Sequence, residues 1–383
     1  MADGITMVVY NLTMELAKRR HQVFVYASDK VDLTSENSVK DSHVTSNGVS
    51  VYYSKTALRS KTFIVTPNMI YVAAKNLSKY DILHIHDCRS FQGICVYVFA
   101  RVKGVPYVFQ PHGSYLPSFS KFSNKAITKM LLDKLICDRI VREASKILAL
   151  NQVEAKLYKD FGVESKKIVI LPNGLDIERY VSLPSAGSFK RNIGISEDEK
   201  IILYVGRLHE SKGLELLVRA FSIVASKESK VKLVMIGPDD GYKRKLVDLI
   251  ASLKLNEKVV LTGYVDREVK MAALVDSHLF VTPSFYGFPI TFLEACIAGV
   301  PLVTTNLGDS LDWINGKVGI VSSSDKNDLA NALRTLISDQ ELHDKYSRNG
   351  KSLITSKFSL GKVVDELEQI YSTVVFKRAI KIQ

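Results

Sequence analysis

Arg207 and Lys212 stand five positions apart in IILYVGRLHESKGLELLVRAF, on the turn between a continuous apolar run ending at Gly206 and a helix-spaced run opening after Gly213. The first run reads as a buried strand and the second as a helix. One guanidinium able to bind bidentately, one ammonium point charge and the amides of a helix N-terminus together suit anionic oxygens, and a diphosphate above all. The alternative is a pair of solvated cations on a strand–helix loop. The segment is neither a GxxxxGK[ST] nor a GxGxxG pattern, which argues against an ATPase or dehydrogenase phosphate loop.

A second candidate is TPSFYGFPITFLEACIAGVPLVTT, a strand, a loop and a helix that carries Glu294. Its neighbours Phe292, Leu293, Ala295 and Ile297 predict a buried carboxylate, and such a group needs partners. A pair of sugar hydroxyls would serve; so would a backbone cap or a neighbouring Lys or Arg. His112 stands beside Gly113 at the end of an apolar run, and His84 and His86 alternate in DILHIHD, on one face of a strand. A D-x-D pair of the kind used by metal-dependent sugar transferases is absent. Asp239 and Asp240, between Pro238 and Gly241, read as a turn. Cys88, Cys95, Cys137 and Cys296 are scattered with no C-x-x-C, which predicts neither zinc nor a disulfide framework; the metal expectation is none.

The elements that must hold these residues alternate along the chain. QVFVYAS, VSVYY, DILHIH, PYVFQ, KILAL and KIVIL are strand-like and separated by helical or irregular stretches. A Ser-, Gly-, Pro- and charge-rich break follows at 181–200, and the rhythm restarts with IILYVG, VKLVMIG, VVLTGYV, HLFVTPS and PLVTT. Alternation of this kind predicts an α/β chain of two doubly wound, Rossmann-like domains with a cleft between them and ligands at the C-terminal ends of the strands. The expected divisions are 1–180, 181–358 and a terminal helix, 359–383, packing back on the first domain. The first domain opens with a helix, so the strand that normally starts such a sheet is expected to be missing, its turn surviving as Asp3-Gly4.

At 383 residues, 46 % apolar and 24 % charged, the composition is that of a globular protein, without the run of about 18 apolar residues of a spanning helix. A signal peptide is not recognisable, and the expected compartment is reducing cytoplasm. The net charge of +12 is uneven, with 25 Lys and Arg against 16 Asp and Glu in 1–180. That excess predicts an anionic partner, and no zinc finger, RNP strand or helix-turn-helix pattern favours nucleic acid. Segment 114–146 interleaves Lys121, Lys125 and Lys129 with Phe119, Phe122 and Ile127, a basic amphipathic helix suited to an anionic membrane surface at the inner face; a core helix with a solvated basic face is the alternative.

DILHIHD, PHGSYLP, LPNGLDIERY, YVGRLHESKG, VMIGPDDG, LTGYV and PSFYGFPITFLEACIAGVPLV occur in an order and spacing that resembles the retaining, nucleotide-sugar-dependent glycosyltransferases of the GT-B fold, the large group called family four. The resemblance implies that Arg207 and Lys212, after Gly206, grip the donor diphosphate, and that Glu294 holds the ribose hydroxyls. It implies further that Gly287, Phe288 and Pro289 lie against the donor sugar, that Gly263, Tyr264 and Val265 present backbone to the base, and that His112 reaches the transferred sugar. Tyr286 stands eight positions before Glu294, where the family has its first glutamate. The function implied is metal-independent transfer from a UDP- or GDP-sugar, with no other cofactor, to a glycan or lipid-linked acceptor with retention. Rival readings are an epimerase or phosphorylase on the same scaffold, and an inactive sugar- or lipid-binding scaffold.

Overall fold

A computed structural model describes residues 4–30, 43–59, 63–113 and 133–382. The chain forms two compact units, one of Met1–Gly174 with Leu360–Gln383 and one of Leu175–Ser359. The division falls after Gly174 instead of at 180, because Leu175 donates its N–H to the Phe358 carbonyl at 2.8 Å and bridges to Ser359.

In the first unit, helix Gly4–Lys18 precedes β1 (Val23–Ser28), β2 (His43–Ser46), β3 (Val49–Ser54) and the short β4 (Leu58–Arg59) and β5 (Ile64–Val65). They are followed by β6 (Leu83–His86), β7 (Tyr107–Gln110), β8 (Lys146–Ala149) and β9 (Ile168–Ile170). Strands β6-β7-β8-β9 form one parallel sheet, while β1-β3-β2 form another in which β2 runs antiparallel. Among the described residues β1 and β6 are not hydrogen-bonded to each other. Helix Phe91–Lys103 is started by Ser90, whose hydroxyl accepts from Gly93 N at 3.0 Å, and stopped by Gly104 in the left-handed region.

The last helix, Leu360–Ile382, belongs to this unit and is tied to the first. Arg19 donates to Asp365 at 2.6 Å, to Glu368 at 2.7 Å and to the Gly361 carbonyl at 2.8 Å, and His21 meets Glu368 at 2.6 Å.

Of the helix expected over 114–146, residues 114–132 lie outside the described residues. The remainder is a wide turn, Asp133–Cys137, and a short helix, Asp138–Glu143, which ends before Lys146 because that residue opens β8. Asp133 is buried and accepts from Arg89 Nε and Nη2, each at 2.8 Å, so this end of the segment is anchored in the unit. None of the described helices is long and apolar enough to cross a membrane.

The second unit is a six-stranded, all-parallel sheet in the order β12-β11-β10-β13-β14-β15. Its strands are β10 (Lys200–Val205), β11 (Val231–Ile236), β12 (Val259–Gly263), β13 (Ser277–Phe285), β14 (Leu302–Gly308) and β15 (Gly319–Ser322). Ile201–Tyr204 and Leu233–Ile236 are buried throughout, as expected of strands covered on both faces. Helix Leu214–Lys227 turns Leu214, Leu217, Val218, Phe221 and Val224 into that core at helical spacing. The order of strands reverses at β10, which places a ligand crevice at the C-terminal ends of β10 and β13.

Candidate active site

Gly206, Gly237 and Gly263 lie side by side at the C-terminal ends of β10, β11 and β12. Gly206 N donates to Ile236 O at 2.9 Å, and Gly237 N donates to Gly263 O at 2.8 Å. Gly237 has φ 147°, and a Cβ there would lie 1.9 Å from the Gly206 carbonyl oxygen, so only glycine lets these strands close up. Arg207 follows with its carbonyl held by the Tyr204 hydroxyl at 2.9 Å; its largely exposed guanidinium donates to Asp240 at 2.5 Å.

Lys212 closes the short turn Glu210–Lys212. The residue is half-buried, its backbone N–H donates to the His209 carbonyl at 3.1 Å, and its side-chain ammonium has no hydrogen-bond or ion-pair partner among the described residues. Burial first, and then the charge of Arg207, lower its pKa, so the ammonium sits where an anion would stabilise it. Gly213, at φ 68°, starts helix Leu214–Lys227 with no side-chain cap, and a Cβ there would come within 3.0 Å of Pro283 on β13. The amides of that first turn are left for another acceptor.

Glu294 lies on helix Ile290–Ala298, which follows Pro289 and also has no side-chain cap. Glu294 is 4 % exposed as a residue. Its Oε1 accepts from the Tyr180 hydroxyl at 2.9 Å, and Lys270 Nζ lies 2.7 Å from each oxygen. The neighbouring cation that the sequence left open as an alternative is therefore present. Arg267 stacks on the Tyr180 ring at 5.1 Å, and burial, with the charge of Glu294, pushes the Tyr180 phenol up, so it stays a donor at neutral pH.

Tyr286 is half exposed. Gly287 N donates to Asp309 at 2.8 Å and Gly287 O accepts from Ser310 at 2.9 Å, while Phe288 is buried against Trp313 and Phe358. The loop that presents Gly287, Phe288 and Pro289 is thus held from both sides. Gly263 ends β12, Tyr264 is exposed and Val265 half-buried; Asp266 then caps helix Arg267–Val275 through Val269 N at 2.8 Å. Gly206, Arg207, Lys212, Gly263–Val265, Tyr286–Pro289 and Glu294 all belong to one unit and follow the C-terminal ends of its strands. Lys270, Tyr180, Asp240 and Asp309 are absent from the sequence expectations as site residues, and nothing local in the sequence marks them.

His112 belongs to the first unit, two residues beyond β7, with φ 54°. His86 Nδ1 lies 2.8 Å from His112 Nε2, the rings of His84 and His86 stack at 3.9 Å, and His84 Nδ1 meets the Tyr371 hydroxyl at 2.7 Å. His84 Nε2 and Gln110 Oε1 are both buried, and the Gln110 side chain faces His84. Burial lowers all three imidazoles, His84 to about 3 and His112 to about 4, so the column is neutral at pH 7. An unfolded histidine binds its proton near pH 6.5, so the unfolded chain takes up protons that the native state refuses, and stability is expected to fall as pH drops from 7 toward about 4. Urea unfolding at pH 7 and pH 5 measures this; His112→Asn is expected to lose less between the two, and an equal loss would contradict a neutral His112.

Among the described residues no group of three or more His, Cys, Asp or Glu side chains is placed to hold a metal ion. Residues 187–353 match the family model of the glycosyl transferases group 1, and residues 2–179 match that of glycosyltransferase family 4. Both halves of the chain match glycosyltransferase models, and the chain is a glycosyltransferase. It is 27 % identical over 308 residues to an uncharacterized glycosyltransferase of Methanocaldococcus jannaschii, covering 77 % of this chain and 76 % of that one. To the Escherichia coli UDP-Gal:alpha-D-GlcNAc-diphosphoundecaprenol alpha-1,3-galactosyltransferase it is 24 % identical over 308 residues, 78 % of this chain and 77 % of the relative. The solved sucrose-phosphate synthase of Thermosynechococcus elongatus superposes with a TM-score of 0.76 at 18 % identity, covering 97 % of this glycosyltransferase and 93 % of that chain. Likeness at that identity speaks for the fold, which is GT-B with two Rossmann-like domains.

Proposed function

We propose that this glycosyltransferase moves a sugar from a UDP- or GDP-linked donor to a glycan or lipid-linked acceptor, with retention of anomeric configuration and without a metal. The observation that carries the reading is Lys212, a half-buried ammonium with no partner among the described residues, beside an uncapped helix start and five residues from Arg207. Negative charge grows on the diphosphate as the glycosidic bond breaks, and these fixed donors would stabilise it. Glu294 takes ribose hydroxyls, Gly263–Val265 face the base, Tyr286–Pro289 face the donor sugar and His112 reaches the transferred sugar. The Escherichia coli relative, by its name a UDP-galactose-dependent enzyme acting on a diphosphoundecaprenol-linked sugar, supports the donor and acceptor classes. Nucleotide release from a panel of UDP- and GDP-sugars, with lipid-linked acceptors and with or without EDTA, tests the reading, and NMR of the product's anomeric proton tests retention. Inverted product would overturn retention, and activity lost to EDTA would overturn metal independence.

Tyr286 favours a second reading, the inactive scaffold, because a phenol replaces a carboxylate at a donor-facing position. An active enzyme with a neutral group there predicts that Tyr286→Phe lowers kcat/KM by only about one neutral hydrogen bond, roughly 0.5–1.5 kcal/mol. Complete inactivity of the wild type across the panel, with nucleotide binding intact, would favour the scaffold.

We place the enzyme at the cytoplasmic face of a membrane, held peripherally by the basic residues of 114–146. Sedimentation with liposomes is expected to rise with anionic lipid and fall with salt, and to be abolished when Lys121, Lys125 and Lys129 are changed to Glu. Binding indifferent to both lipid charge and salt would contradict it.

A further inference from the structure

Glu294 has little acceptor capacity to spare. A carboxylate offers about four lone-pair sites. Lys270 occupies one on each oxygen at 2.7 Å and Tyr180 another on Oε1 at 2.9 Å, which leaves a single site, on Oε2. A vicinal diol presents two hydroxyls, and one remaining acceptor cannot satisfy both. Lys270 has the complementary surplus: an ammonium carries three N–H donors, and two are spent on the carboxylate. Its side chain is 23 % open to solvent, against 5 % for that of Glu294, so the lysine is the more accessible member of the pair. Helix Arg267–Val275, which carries it, begins directly after Gly263–Asp266 at the end of β12.

We infer that Lys270 is a specificity-determining residue for the nucleotide: with Glu294 it forms a donor–acceptor pair in which one ribose hydroxyl donates to Glu294 Oε2 and the other accepts from Lys270 Nζ. The inference rests on the reading of Glu294 as the ribose residue. It differs from recognition by a carboxylate alone, in which both hydroxyls donate. Tyr180, braced by Arg267, fixes the carboxylate so that the open site stays on Oε2.

The test is calorimetric titration of UDP and GDP and of their 2′-deoxy and 3′-deoxy counterparts into the whole chain, as wild type, Lys270→Met and Lys270→Arg. Wild type is expected to favour the ribonucleotide over each deoxy form by roughly tenfold or more, the scale of one hydrogen bond to a charged group. Lys270→Met is expected to bring one of the two ratios, the hydroxyl read by the ammonium, to about 1 while the other persists. Lys270→Arg preserves the ion pair, and hence folding, should the methionine variant not fold; its planar fork is committed to the carboxylate, and the same single ratio is expected to fall at least about threefold. Both ratios unchanged in Lys270→Arg, in which the carboxylate's acceptor sites stay filled, would overturn the role of Lys270 and leave Glu294 as the ribose residue. A wild type indifferent to both hydroxyls would overturn the ribose reading of Glu294 and this inference with it.

Discussion

Arg207→Ala combined with Lys212→Ala is expected to weaken binding of UDP or GDP by about 3–6 kcal/mol, two charge-assisted contacts at roughly 1.5–3 kcal/mol each. The loss should not divide equally. Arg207 is 61 % exposed and already paired with Asp240, so the diphosphate must compete for it in a solvated setting. The Lys212 ammonium is half-buried with no described partner, and burial first, then the charge of Arg207, lower its pKa. Lys212→Ala alone should therefore account for the larger part. Asp240→Asn, which frees the guanidinium, should tighten binding slightly. Titration calorimetry on the three single variants and the double variant decides it; a double variant that binds like wild type removes the diphosphate assignment.

Glu294→Ala is expected to lower stability by roughly 3–5 kcal/mol, because it strands the Lys270 ammonium and the Tyr180 hydroxyl beside an emptied site. Lys270→Met should be similarly damaging, since it leaves the carboxylate of a buried residue without its counter-ion. Losses of both single variants should exceed that of the double variant Lys270→Met/Glu294→Leu, in which neither charge remains to be desolvated alone. Urea denaturation of wild type, Glu294→Leu, Lys270→Met and the double variant provides the double-mutant cycle. Additive losses would mean that the two side chains do not interact in solution.

The second unit was largely legible in the sequence for a physical reason. Strands of a parallel sheet covered on both faces must be apolar at every position, and Ile201–Tyr204 and Leu233–Ile236 announce themselves as runs. The helix at Leu214–Lys227 shows its buried stripe by spacing alone. Short elements at sheet margins were not legible: β2 is mostly exposed, β4 and β5 have two residues each, and β15 is a four-residue edge strand. At the candidate site, Arg207 and Lys212 could be found because turn, charge and helix start coincide within a few residues. Lys270 could not. Locally it is one lysine on an amphipathic nine-residue helix, and only the fold brings it to a carboxylate 24 positions away. Asp240 reads as half of a turn until Arg207, 33 positions away, is seen to hold it.

The tie between Arg19 and the terminal helix has a consequence for the order in which this chain can fold as it is made. Arg19 meets Asp365 and Glu368 across 346 and 349 positions. At a synthesis rate of about 5–20 residues per second, the opening helix waits roughly 20–70 s for its partner to be translated. Leu175–Ser359 is contiguous and complete before Leu360 emerges, so the later-encoded unit can close its core first. The earlier-encoded one meanwhile keeps the apolar stripe of Val8, Leu12 and Leu16 short of Leu360 and Val363, and cannot finish until the segment that begins at Leu360 has left the ribosome. Nascent chains of this protein are therefore exposed to proteolysis and misassembly in the segment up to Gly174, and a stop codon anywhere before Leu360 would damage the half already made.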